Sequence, residues 1–299
     1  MKQFWNWGKY QVAWQVEGDK NKSDMAVVLI HGFGASKEHW RFNQENIGIL
    51  SICYAIDLIG FGESSQPKSQ LLYEQNKSEN FNYCFDKWSE QISDFCKEIV
   101  QKPVLLIGNS IGGVIALNAS KELSKKCLGV VLIDCAQRTM DDKRLNEQSL
   151  FMRFLRPVIK TLVRQRFLST SLFKNAANRN FIEKILKIAY PSGHNIDKEL
   201  IDILFKPTQR QGAPEAFRGF INLFDDHLAP DLLENLQNNV YLIWGERDPW
   251  EPIKEAQKWF ETYECIKTLD IIPDAGHCPH DEKPEIVNPI IEKIIQETI

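Results

Sequence analysis

The sequence predicts an α/β fold, a mostly parallel sheet with helices on both faces. Three observations carry that prediction. First, four short apolar runs, at Ala26–Ile30, Ile52–Ile56, 104–107 and 130–133, are continuous and rich in Val and Ile. Strands buried on both faces read that way. Second, helical patterns at 37–47, 85–100 and 114–125 separate these runs. Strand–helix–strand repetition at such spacing implies right-handed crossovers that cover both sides of the sheet. Third, the pattern stops after Asp134 and resumes with strand character at 240–244 and 267–272, ahead of a closing helix at 284–295.

The remaining elements follow in order. Residues 10–16 alternate polar and apolar positions, and Gly18-Asp19 can turn that ribbon back on itself as an antiparallel edge. Between 137 and 236 no buried strand is legible. Helical stretches at 147–167 and 181–190 and the punctuation Pro191-Ser192-Gly193 fill the segment. A structureless loop of that length is improbable, so 137–236 reads as a helical insertion into one core made of 1–136 and 237–299.

Composition narrows the function. Of 299 residues, 43% are hydrophobic and 25% charged, and 36 Lys and Arg against 40 Asp and Glu give a net charge of −4. That mix excludes a disordered or fibrous chain, and a net-acidic chain has no global attraction for nucleic acid. The apolar runs are strand-sized and fall short of the roughly 18 residues of a membrane span. The first seven residues lack the apolar core of a signal peptide. Seven scattered cysteines without CxxC spacing indicate reduced thiols, hence a cytoplasm-like compartment, and no zinc site. Charge is uneven, with twelve Lys and Arg against four Asp and Glu between residues 137 and 190. Such a basic amphipathic stretch either contacts an anionic membrane peripherally or packs one face on the core and leaves a charged face in water.

Gly108-Asn109-Ser110-Ile111-Gly112 fits Gly-x-Ser-x-Gly and lies between a buried run and a helical segment. The motif needs that context, because it is a sharp strand-to-helix turn that exposes the serine hydroxyl at the carboxyl edge of the sheet. His31-Gly32-Phe33-Gly34 follows the first core strand. Its loop can aim the Phe33 amide, with that of Ile111, at an oxyanion. His31 reads as structural, and Asp57 in Asp57-Leu58-Ile59-Gly60 as a loop organiser. A hydroxyl is a poor nucleophile at neutral pH and needs a base, which in turn needs an orienting acceptor. His277, just past the last strand, is the candidate base, with His280 as the alternative. His194 and His227 read as ordinary polar positions. Asp248, after strand 240–244, is the candidate acid, with Asp134 as its rival and Glu246 a weaker one.

These residues resemble the α/β-hydrolase superfamily over nearly the whole chain. The matching features are His31–Gly34, Asp57 through Ser64, Gly108–Gly113, Gly245–Asp248 and Gly276-His277. The resemblance implies an eight-stranded sheet and a helical cap after the sixth strand. Gly108–Gly113, Gly245–Pro252 and His277–Pro284 look similar to the plastid and cyanobacterial branch that includes pheophytinases and chlorophyll dephytylases. That branch implies hydrolysis of a lipophilic ester such as a phytyl ester. Serine at position 110 departs from the aspartate of dehalogenases and epoxide hydrolases. Ile111 departs from the methionine common in cofactor-free haloperoxidases and carbon–carbon hydrolases. The expectation is therefore a serine esterase of a small, lipophilic molecule, with Ser110, His277 and Asp248 catalytic, Phe33 and Ile111 as oxyanion donors, and no metal or organic cofactor. Haloperoxidase-like or carbon–carbon bond hydrolysis is the first alternative, and a non-catalytic ligand receptor the second. Phe151, Phe154 and Trp250, with Leu150, Phe167, Phe217 and Phe220, are candidates to line the substrate pocket. The aromatics of the insertion have a second reading as its own core.

Overall fold

The computed structural model describes residues 2–75, 77 and 79–298. Eight strands form one sheet: β1 (Gln3–Trp7), β2 (Tyr10–Glu17), β3 (Ala26–Ile30), β4 (Ile52–Ile56), β5 (Val104–Asn109), β6 (Cys127–Ile133), β7 (Asn239–Gly245) and β8 (Ile266–Ile272). Their order is β1-β2-β4-β3-β5-β6-β7-β8. The pairs from β4 to β8 are parallel, whereas β2 runs antiparallel to both β1 and β4.

The continuous apolar runs are explained by burial on two sides. In β3, Val28 and Ile30 enter one core, and Val27 and Leu29 enter the other. Successive side chains of a strand point to opposite faces, so neither face tolerates a polar residue here. Among the described residues, the α-helices before β6 are α1 (Gln44–Leu50), α2 (Phe85–Phe95) and α3 (Ile111–Leu123). Between β6 and β7 come α4 (Leu150–Arg164), α5 (Arg166–Ala176), α6 (Arg179–Ala189), α7 (Lys198–Thr208), α8 (Ala213–Ile221) and α9 (Ala229–Leu233). The chain ends with α10 (Ile253–Thr262), α11 (Pro279–Glu282) and α12 (Pro284–Thr298). Ile47 of α1 and Val287, Ile291 and Ile295 of α12 fill one core. Trp88 of α2, Val114 of α3 and Trp259 of α10 fill the other.

Three local readings are corrected. The antiparallel ribbon does not turn at Gly18-Asp19. β2 pairs with the preceding segment β1 through a two-residue turn at Gly8-Lys9, with Trp7 opposite Tyr10 and Gly8 at φ +54°. That positive φ suits glycine, and it gives a tight hairpin the twist of its strands. The helix expected over 37–47 divides into a 3₁₀ turn at Lys37–Trp40 and α1. The stretch 147–167 breaks at Gln165, whose extended backbone separates α4 from α5. Among the described residues, 137–236 adds no strand to the sheet.

β4 and β5 flank β3 on opposite sides, so the connections leaving β3 and β5 diverge at their carboxyl ends. Ligands of open α/β sheets bind at such a switch point. Leu29 is fully buried in the central strand. Leu29→Ala is expected to lower the free energy of unfolding by about 2–5 kcal/mol, read from urea denaturation midpoints at unchanged slope.

Candidate active site

Ser110 stands where β5 turns into α3, with φ +55° and ψ −120°. A non-glycine residue in that region is strained, and the surroundings must hold it there. They do so by close backbone approach. A Cβ on Gly108 would lie 2.2 Å from the Gly112 carbonyl oxygen, and one on Gly112 would lie 2.3 Å from that of Ile30. Only glycine lets α3 start so near β3. The Ser110 amide donates to Ile133 O at 3.0 Å, and its carbonyl accepts from Gly113 and Ala136. Among the described residues, the amides of Phe33 and Ile111 donate to no protein acceptor. Ile111 opens α3, and first-turn amides have no intrahelical partner. Both residues line the cavity that Ser110 lines.

His277 lies in the loop after β8 and is 8% exposed, as is Ser110. Its ring Nδ1 is 2.8 Å from Asp248 Oδ2. The other Asp248 oxygen accepts the amides of Trp250 at 2.8 Å and Glu251 at 3.1 Å. Burial disfavours charge on His277. The hydrogen bond to and charge of Asp248, with the charge of Glu251, outweigh it and raise the imidazole pKa. Burial would raise Asp248, yet the His277 bond and charge, the Asp134 bond and the Trp250 amide bring it below the usual carboxylate value.

Asp134 does not take the acceptor place facing His277. It follows β6 at φ +44° and accepts the Gly245 amide. Complete burial, then the charge of Asp248 and the hydrogen bond to it, hold its carboxyl well above the usual range. The two neighbouring carboxyls are thus pushed in opposite directions, Asp134 toward its protonated form and Asp248 toward its ionised one. Glu251 accepts the Gln137 amide, and burial pushes it up to about 7 against the pull of His277.

The other sequence candidates fall elsewhere. His280 is fully buried against His39 and Trp40, and neither ring nitrogen has a protein partner among the described residues. Burial drives its pKa well below the ordinary value. Glu246 is exposed and accepts the Asp274 amide. His227 pairs with Asp86, and His194 is exposed. His31 bridges Gly32 O and the Leu58 amide, and burial takes it down to about 4, so it is a neutral strut. Asp57 accepts the amides of Lys37 and Glu63 and pairs with Lys37, as a loop organiser does.

Ser110 and His277 line one cavity of about 600 Å³, with Trp250, Phe217 and Phe220 among its walls. The Trp250 ring meets the His277 ring edge-on at 4.9 Å, and Phe220 stacks on Phe33 at 3.9 Å. Leu150, Phe151, Phe154 and Phe167 do not line it. Phe151 is 70% and Phe154 87% exposed, because the apolar side of α4 faces outward.

Two positioning groups escape sequence reasoning. The Asn109 side-chain amide donates to Ile133 O and His277 O, tying the serine turn to the histidine loop. Glu282 accepts the Gly276 amide at 2.6 Å and both donors of Ser192. Asn109 sits inside the serine motif, but its partner is 168 residues away. No local periodicity marks Glu282. Ala189 O at the end of α6 accepts the His277 amide and would lie 2.1 Å from a Cβ on Gly276.

A raised native pKa means the folded state binds a proton the unfolded chain releases, so Asp134 costs stability as pH rises past about 4. Asp134→Asn keeps the donor and removes that titration. The variant should gain stability relative to the native chain between about pH 4 and 7, measured by urea unfolding at both ends. A constant difference across the range would show that Asp134 is ionised in the fold.

Comparisons with known proteins place the fold and the family. The chain is 26% identical to the chloroplast pheophytinase of Arabidopsis thaliana over 94% of its own length and 63% of that protein, so it spans less than two thirds of that relative. It is 25% identical to an uncharacterised hydrolase, YugF, of Bacillus subtilis, over 93% of this chain and 92% of that one. Among solved structures, a serine hydrolase involved in carbazole degradation superposes with a TM-score of 0.76 over 99% of this chain and 98% of that one, at 19% identity, a likeness of fold alone. Residues 27–290 match the alpha/beta hydrolase family, and the chain belongs to it.

Proposed function

We propose that the protein is a serine hydrolase of lipophilic carboxylic esters. One observation carries the reading: the His277 ring is held by Asp248 at 2.8 Å and lines, with Ser110, a single cavity. Nδ1–H donates to Asp248, which leaves Nε2 free to accept the serine proton. Ser110 attacks the acyl carbon while His277 takes its proton. The amides of Phe33 and Ile111 meet the negative charge on the tetrahedral oxygen, where one such donor contributes about 3–4 kcal/mol. His277 then returns the proton to the departing alcohol, and water cleaves the acyl-enzyme by the same route in reverse. Asp134, donating to Asp248, keeps that carboxylate ionised and in place.

The helices between β6 and β7 serve as a cap, with α5, α6 and α8 contributing Phe173, Ile182, Ile185 and Phe217 to the cavity. Apolar walls around a volume of this size suit a long or polycyclic group. The likeness to a pheophytinase supports a phytyl-type ester as the class to try first.

Ser110→Ala and His277→Ala should each lower turnover on the order of 10⁶-fold, and Asp248→Ala less, on the order of 10⁴-fold. A fluorophosphonate probe should label the native chain and leave Ser110→Ala unlabelled; equal labelling rejects the nucleophile. In a series of p-nitrophenyl esters, kcat/KM should rise with acyl length, and a chlorophyll-type ester should be cleaved. Faster cleavage of a diketone than of any ester overturns the ester assignment.

The base works unprotonated, and its pKa is raised. The acid limb of kcat/KM should therefore lie above the usual histidine value of about 6.5. Glu251→Gln removes a negative charge that stabilises the imidazolium, so the limb should move to lower pH. A pH–rate profile of the two proteins reads the shift.

A further inference from the structure

Helices α4 and α5 are folded inside out. On α4, Arg156 and Lys160 turn inward onto Asp142 at 2.7 and 2.6 Å, and both cations lie over the Phe224 ring. Arg156 is buried. The apolar positions Phe151, Phe154, Val158 and Leu162 recur at helical spacing on the opposite, solvent side. On α5, Ser169 is buried while Phe167, at 81% exposure, and Leu172 face water. Single exposed apolar residues are ordinary, but a contiguous face of them marks a binding surface. The face extends across Arg164, whose guanidinium lies 4.6 Å over the exposed ring of Tyr73, to Leu72.

Charge selects the occupant. Residues 148–182 carry seven Lys and Arg and no Asp or Glu; Arg156, Lys160, Arg166 and Arg179 pair with carboxylates from outside the segment, which leaves Arg153, Arg164 and Lys174 as its exposed cations outside such pairs. Arg153 and Lys174 are exposed and have no acidic partner among the described residues. Two copies meeting through this face would set like charges against each other, which disfavours self-association. An anionic bilayer meets both requirements. Its headgroups pair with the cations, and the aromatic and aliphatic side chains enter the acyl boundary.

We propose that the outward face of α4 and α5 docks the protein on anionic phospholipid membranes. The surface also leads to the cavity. Phe173 and Ala176 on the other side of α5, and the half-exposed Phe181 at the start of α6, line the space that holds Ser110. A docked protein thus keeps its cavity beside the lipid, where a lipophilic ester is dissolved.

Flotation of the full chain with vesicles of equal phosphatidylcholine and phosphatidylglycerol tests this at low salt. The native protein should float. Partitioning should fall at least tenfold on pure phosphatidylcholine or at high salt, as screening requires. Phe151→Ser/Phe154→Ser/Phe167→Ser should lower it about 100-fold with an unchanged thermal midpoint, since these side chains are exposed in the fold. Arg153→Gln/Lys174→Gln should lower it at least tenfold. A native protein that stays in the dense fraction at every lipid concentration overturns the proposal, as does equal flotation of the phenylalanine variant. A dimer in light scattering that the phenylalanine substitutions dissociate would overturn it in favour of a second copy. None of these readings depends on hydrolysis, so the esterase assignment stands or falls separately.

Discussion

A single strained residue lies at the centre of this architecture. Ser110 holds φ +55° because β5 must reverse into α3 within one residue, with α3 starting almost in contact with the Ile30 carbonyl. Side chains at 108 or 112 would meet backbone oxygens at 2.2 and 2.3 Å, far inside van der Waals contact, and no rotamer change relieves that. The strain is held by hydrogen bonds to Ile133 and Ala136, on the neighbouring strand and the loop beyond it. The same close packing presents the first amide of α3 beside the serine hydroxyl. Backbone geometry and the chemistry proposed for the site are thus one constraint.

Around it, charge is arranged by burial. Asp248 and Glu251 act on one imidazole and Asp134 acts on Asp248, and the surroundings drive the three carboxyls apart. Asp248 receives the histidine, two backbone amides and a proton donor, and stays ionised. Complete burial and its ionised neighbour both push Asp134 toward its protonated form. Glu251, pushed up to about 7, sits between. Neighbouring like charges in a buried site disfavour one another's ionisation, so the groups divide the roles. The histidine loop is fixed by equally specific means: Asn109 and the end of α6 bind its backbone, and Glu282 holds Gly276.

The helices between β6 and β7 obey a different rule. Most of the chain hides apolar surface, but α4 turns Arg156 and Lys160 inward onto Asp142, and both α4 and α5 show phenylalanines to solvent. Burying Arg156 is tolerable because its guanidinium has Asp142, Met140 O and Gln148 as acceptors. The inverted sorting of α4 and α5 thus lies on the outer side of helices whose inner residues, Phe173 and Ala176 among them, line the cavity that holds Ser110.

The parallel sheet, its helical layers and the position of the serine turn were legible in the sequence. Each is written locally: continuous Val and Ile runs for strands buried on two faces, and glycines bracketing Ser110 where only a missing side chain fits. His277 and Asp248 were legible as residues that follow strands, because every parallel strand delivers its carboxyl end to the same rim. The choice between Asp248 and Asp134 was not, since both follow neighbouring strands and only the paths of β6 and β7 decide which oxygen meets the ring. β1 was missed because an edge ribbon has one buried face and carries too short a pattern. The exposure of Phe151 and Phe154 lay equally beyond reach. An amphipathic period marks two sides of a helix but does not say which one turns inward, and here a single carboxylate, Asp142, binds the cationic side and leaves the aromatic one in water.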